Sequence, residues 1–165
     1  MSEAKNIILV GFMGSGKSVV GRALARLTGL SIVDADAELV RRSGRPISQI
    51  FQEDGEVAFR ELERAVIRDI CSQSGKVIAA GGGSFVDPDN RKLMLAKGQV
   101  VCLTARPETI LGRVSQAQGN SNPNEDPAEE KAPVRPLLAG DSPLMRIKEL
   151  LDQRAESYAL AQYTV

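Results

Sequence analysis

The chain has 165 residues, 42% of them hydrophobic and 25% charged, enough for one compact domain with a substantial core. Its 21 basic residues balance 21 acidic ones, so no net field favours nucleic acid or a membrane surface as partner. Histidine is absent, which excludes histidine triads, histidine metal sites and imidazole general bases.

Residues 1–6 carry no basic segment followed by a long apolar core, and no apolar run reaches membrane-spanning length, so a cytoplasmic location is expected. Residues 6–10 (NIILV) form a short continuous apolar run, as expected of a strand buried on both faces. A glycine-rich turn follows, and then Val19, Val20, Ala23, Leu24 and Leu27 recur at helical spacing up to a stop at Gly29. Residues 30–33 read as a second strand ending at Asp34-Ala35-Asp36, and residues 37–71 as helix broken near 44–46 and at 54–55. A third strand over 76–80 runs into Gly81-Gly82-Gly83, and a helix over 91–97 precedes a fourth strand over 99–103. A helical start at 107–114 opens into a polar stretch of loop composition, 115–133, before a last amphipathic helix over 144–161. Its apolar side carries Leu144, Ile147, Leu151 and Tyr158. Cys71 and Cys102 fall inside apolar segments, as buried reduced thiols do. Strand–helix alternation with such strands implies an α/β fold: a parallel sheet with helices on both faces, in three layers.

Residues 11–18, GFMGSGKS, match G-x-x-x-x-G-K-[ST] between a predicted strand and a predicted helix, the context the chemistry needs. Glycines let successive N–H groups curl inward toward phosphate oxygens, and the helix N-terminus adds partial positive charge. Gly14, Ser15, Gly16, Lys17, Ser18 and Val19 are therefore the candidate ATP contacts, with Lys17 reaching the β- and γ-phosphates and Ser18 ligating Mg²⁺. Asp34 and Asp36 follow the second strand, at the sheet end where open α/β sheets place their ligands.

Beyond this loop the chain carries D-x-D at 34–36, I-F-x-x-x-G-E-x-x-F-R-x-x-E at 50–63, G-G-G at 81–83 and R-P-L-L at 135–138, with Arg154 in the last helix. In that order these elements resemble the shikimate kinases, from Ile7 to about Tyr163. The resemblance implies a five-stranded parallel sheet of the nucleoside monophosphate kinase type. It also implies phosphorylation of the 3-hydroxyl of shikimate by MgATP, in aromatic amino-acid (chorismate) biosynthesis. Asp34 would then hold the Mg²⁺ hydration shell with Ser18. Asp36 would orient the attacking hydroxyl and take its proton. Arg60 and Arg154 would clamp the substrate carboxylate, and Gly81, Gly82 and Gly83 would let the backbone approach the ring. Arg135 would close on the transferring phosphoryl group with a lid, and Arg113 would pack against the adenine. Lys17, Asp36 and Arg135 are the expected catalytic set. The single domain divides on this pattern into a core (5–34, 72–114 and 143–165), a substrate-binding helical segment (about 35–71) and a lid (about 115–140). It is expected to act as a monomer on small molecules, without nucleic acid or membrane.

Taken singly, the same residues have plainer readings. Arg60 sits at helical spacing from Glu56 and Glu63, Arg113 and Arg154 can be surface charges, Asp34 and Asp36 can be caps, and Gly81–83 can be a tight turn. Phe51, Phe59 and Leu62 fit core packing that also walls the pocket. Two features depart from the family pattern: a long acidic stretch between Arg113 and Arg135, read as a tolerated surface insertion, and an end at Val165 where the last strand is just beginning. Two other functions stay open: a kinase for another small polyol acid such as gluconate, and a nucleotide-binding regulatory module without turnover.

Overall fold

The computed structural model describes residues 5–119 and 142–165. Among them, five strands form one sheet in the order β2-β3-β1-β4-β5, every pairing parallel. The strands are β1 (Asn6–Val10), β2 (Ser31–Asp34), β3 (Lys76–Ala79), β4 (Gly98–Cys102) and β5 (Tyr163–Thr164). Central β1 pairs Ile8 with Ile78 on one side and with Val100 on the other. Strand alternation sends Ile8, Val10, Ile78 and Val100 to one face, where they form a fully buried cluster with Ile67, Ile70, Met94 and Ile147. The opposite face, with Leu9 and Val77, lies against Gly21 of α1 (Lys17–Thr28). Burial on both faces explains why the inner strands read as unbroken apolar runs. β2 lies at the sheet edge, and its Ile32 is 37% exposed.

The expected breaks between 37 and 71 separate α2 (Ala35–Ser43), α3 (Ile47–Glu53) and α4 (Gly55–Cys71). Asp36 is not a strand residue: Asp34 both ends β2 and caps α2, its Oδ1 accepting from the N–H groups of Asp36 and Ala37 at 3.0 and 3.2 Å. α5 (Pro88–Lys97) begins earlier than the apolar spacing predicts, because Asp87 caps it and Pro88 fits its first turn. α6 (Pro107–Gly119) continues into the polar stretch expected to be loop. α7 (Pro143–Tyr158) buries Ile147, Leu150, Arg154 and Tyr158 on one stripe. Leu62, expected in the core, is 36% exposed. Cys71 and Cys102 are free and buried, and burial pushes the Cys71 thiol up to about 11. No helix among the described residues is long and apolar enough to cross a membrane.

Candidate active site

β1 delivers the glycine-rich loop to the C-terminal edge of the sheet, beside the ends of β3 and β4. Gly11 turns there with φ +132°, and a Cβ on it would lie 2.3 Å from the carbonyl oxygen of Leu103, so no other residue fits. α1 opens directly from the loop with no side-chain cap and no acidic residue in its first turn. Its leading N–H groups are thus left to an anion. Lys17 arches back across the loop, its Nζ donating to the carbonyls of Gly11 and Phe12 at 2.9 Å each. Ser15 is buried, and its N–H reaches the Phe12 carbonyl at 3.2 Å.

Ser18 Oγ donates to Asp34 Oδ2 at 2.8 Å, which ties the first turn of α1 to the corner between β2 and α2. Since Oδ1 already caps α2, one carboxylate fixes both helices relative to each other. Asp36, in the first turn of α2, lies beside the glycine turn. A Cβ on Gly81 would sit 2.7 Å from Asp36 Oδ1, 2.9 Å from Ser84 Oγ and 3.1 Å from Glu63 Oε1. Gly81 does not line the cavity; its missing side chain lets three oxygen-bearing groups converge.

α4 brings Arg60 and Glu63 onto one face, one turn apart. Glu63 is 4% exposed and receives Arg60 Nη1 at 2.8 Å on one oxygen and Ser84 Oγ at 2.6 Å on the other. Arg60 also reaches Glu56 at 3.6 Å and lies over the Phe59 ring, 5.2 Å from its centroid. The expected helical neighbours of Arg60 are therefore real, yet one of them is buried inside the site rather than solvated. Arg154 approaches from α7, its guanidinium 5.3 Å from the Phe12 ring centroid and one N–H on the Gly82 carbonyl at 3.3 Å.

The charged groups Lys17, Asp34, Asp36, Arg60, Glu63 and Arg154 line one cavity of about 260 Å³. Lys17, Ser18 and Asp34 stand at its phosphate-loop end, and Asp36, Arg60, Arg154, Gly82 and Gly83 form the rest with the apolar walls Ile47, Phe51 and Phe59. On the outer side of the loop, Gly14, Ser15, Gly16, Val19 and Arg113 line a second recess of about 480 Å³. There Arg113 Nη1 donates to the Gly14 carbonyl at 2.9 Å. Arg135 and the R-P-L-L element lie outside the described residues. Sequence reasoning did not single out Glu63, Ser84 or Tyr158 as site residues. For Glu63 and Tyr158 the available signal was spacing, since they follow Arg60 by three positions and Arg154 by four.

A parallel sheet whose central strand feeds a phosphate loop, flanked by a pocket rich in carboxylate and guanidinium groups, is the P-loop kinase fold: a phosphotransferase for a small acceptor. The family model described as "SKI: Shikimate kinase" matches residues 13–165. A shikimate kinase from Thermus thermophilus is 41% identical over 159 residues, covering 96% of this chain and 79% of the relative. One from Geobacter sulfurreducens is 40% identical over 164 residues, covering 99% and 82%. Among solved structures, a shikimate kinase from Acinetobacter baumannii in complex with shikimate superposes with a TM-score of 0.85. It shares 36% identity and covers 98% of this chain and 83% of that one. The chain belongs to the shikimate kinase family.

Proposed function

We propose that this kinase transfers the γ-phosphoryl group of ATP to the 3-hydroxyl of shikimate within the cavity just described, with its two ends serving the two substrates. One observation carries the division of roles: Lys17 and Ser18 share a single cavity with Asp36, Arg60 and Arg154. The α1 N-terminus and Lys17 hold the phosphates, and charge developing on the transferring group meets fixed donors there. The recess beside Arg113 receives the nucleoside. Asp36 accepts the hydrogen bond of the acceptor hydroxyl, orients it and takes its proton. Arg60 and Arg154 bind the acceptor carboxylate, for which two guanidinium forks from different helices set both position and tilt. Arg135 completes the site over the nucleotide from the lid, and Gly82 and Gly83 give the ring room to lie close to backbone, on a turn that Gly81 lets pack against Asp36 and Glu63.

Ser18 and Asp34 fit a magnesium ion. Both are hard oxygen donors, joined at 2.8 Å, and a magnesium ion keeps several waters and needs only one or two protein oxygens. Bound there with ATP, it would neutralise phosphate charge; Asp34 would hold it through water while continuing to cap α2. Dependence on ATP also supports work in the cytoplasm.

The test is a double-perturbation cycle. Arg60→Ala or Arg154→Ala should lower kcat/KM for shikimate by roughly 10- to 150-fold, the worth of a hydrogen bond to a charged group, while ATP affinity hardly moves. Methyl shikimate, with its carboxylate neutralised, should be a poor acceptor for the parent and indifferent to either substitution. Additive losses, or better turnover of gluconate than of shikimate, would remove the assignment.

A further inference from the structure

Tyr158 ends α7 one turn after Arg154, and both side chains are buried. Its hydroxyl donates to the Gly82 carbonyl oxygen at 2.5 Å, the oxygen that Arg154 reaches at 3.3 Å. A carbonyl oxygen has two lone pairs, so α7 occupies both. The adjacent carbonyls are engaged inside the turn: Ser84 N–H donates to Gly81 and Val86 N–H to Gly83, at 3.1 Å each. In contrast, neither Gly82 nor Gly83 gives its N–H to a turn or loop carbonyl among the described residues. Peptide planarity links these facts, because fixing the Gly82 C=O fixes the direction of the Gly83 N–H. The two glycines line the acceptor end of the cavity, and Arg60 nitrogens lie 2.9 Å from where a Gly83 Cβ would be. A small rotation of this peptide would therefore disturb Arg60 as well.

The two donors are unequal. Tyr158 makes the short bond and Arg154 the long one, which leaves the guanidinium over Phe12 and facing the cavity rather than drawn onto the glycine turn. Burial pushes the phenol up from its ordinary value, with Arg154 acting against it, so the hydroxyl keeps its proton at neutral pH and remains a donor.

We propose that Tyr158 is a positioning residue for the acceptor: through the Gly82 carbonyl it fixes the glycine turn and sets the reach of Arg154 toward the acceptor's carboxylate. This rests on the assignment of Arg154 to that carboxylate. Without the hydroxyl, Arg154 is the only described side chain donating to the Gly82 oxygen. It shortens that bond at the expense of the ligand, and the turn loosens.

The experiment uses the full chain with Tyr158→Phe, and Tyr158→Met as a second variant without the donor. Active-site concentration is set by ADP titration, so loss of folded protein does not enter. KM for shikimate should rise roughly 3- to 10-fold, the worth of one neutral hydrogen bond, with kcat and KM for ATP within about twofold. Methyl shikimate should be used equally by parent and variants, since the effect runs through the carboxylate. A fall in kcat with unchanged KM would mean that the hydroxyl acts on the transfer step and not on acceptor binding, and would overturn the proposal. So would variants indistinguishable from a parent that turns over shikimate, an outcome that leaves the shikimate assignment standing. A parent without shikimate-dependent turnover would remove both.

Discussion

Replacing Glu63 by Gln isolates the charge of a buried side chain while keeping its shape. In the parent, the carboxylate is 4% exposed and accepts from Arg60 at 2.8 Å and from Ser84 at 2.6 Å. Gln has one acceptor oxygen and one amide donor. The oxygen must face Arg60, which only donates, so the amide faces Ser84, whose hydroxyl can rotate to accept. Both contacts survive in number, but a charge-assisted bond becomes a neutral one, a loss of about 1–2 kcal/mol in stability. For a chain of this size that lowers Tm by roughly 2–8 °C. Arg60 is also held less tightly beside the glycine turn and gains freedom to follow Glu56 toward solvent. KM for shikimate should then rise about tenfold, equivalent to about 1.4 kcal/mol, with KM for ATP unchanged. Thermal unfolding followed by circular dichroism and steady-state assays with each substrate varied in turn provide both readouts. A Glu63→Gln enzyme with parental Tm and parental shikimate KM would refute the claim that this carboxylate organises the acceptor end.

Lys17→Met should reduce turnover at least about 100-fold, because fixed charge at the phosphates is most of what a protein contributes to this reaction; near-normal ADP release would contradict the loop's role. Gly83→Ala would put a Cβ 2.9 Å from both terminal nitrogens of Arg60, so shikimate KM should rise and Tm should fall, the displaced guanidinium straining its ion pair with buried Glu63. Hydrogen bonds from Arg41 and then Arg42 hold the Glu38 carboxyl down at about 2 from an ordinary 4.5, against the effect of burial. A lowered folded-state value means this stabilisation is complete above about pH 4.5 and is lost as pH falls toward 2. Glu38→Gln should thus cost about 1–3 °C in Tm at pH 7, modest because the site is solvent-screened, and only about a quarter of that near pH 2.5. An equal difference at both pH values would contradict it.

The fold was legible where burial is local to the strand. Residues 6–10, 76–80 and 99–103 stand out as apolar runs because helices cover both sides of the inner strands. At the polar ends of helices, spacing of apolar residues was the wrong guide. α6 runs on past the point where the sequence turns polar at Ser115, since a stretch exposed to solvent, as Ser115, Gln116 and Ala117 are, needs no apolar residues. The start of α5 was written in Asp87 and Pro88, a cap and a first-turn proline, but not in hydrophobicity.

For the site, the phosphate loop declares itself because its chemistry depends on consecutive residues. Arg60 and Arg154 have no such local mark. What separates them from surface arginines is that α4 and α7, far apart in sequence, converge on the same glycine turn, with Arg154 on Gly82 and Arg60 beside Gly83. Glu63 and Tyr158 were harder still. A glutamate three positions after an arginine reads as a solvated ion pair until the fold buries it with Ser84 donating to its second oxygen.

The central claim is the identity and position of the acceptor, and ¹H–³¹P correlation spectroscopy of the product tests it most directly. The enzyme is supplied with ATP, magnesium and shikimate, and a Lys17→Met control is run alongside. The account predicts one new phosphorus signal, coupled to the proton on C3 of shikimate, growing in step with ADP and absent from the control. Phosphorus coupled to another ring position, or ADP released without any phosphorylated shikimate, would contradict it.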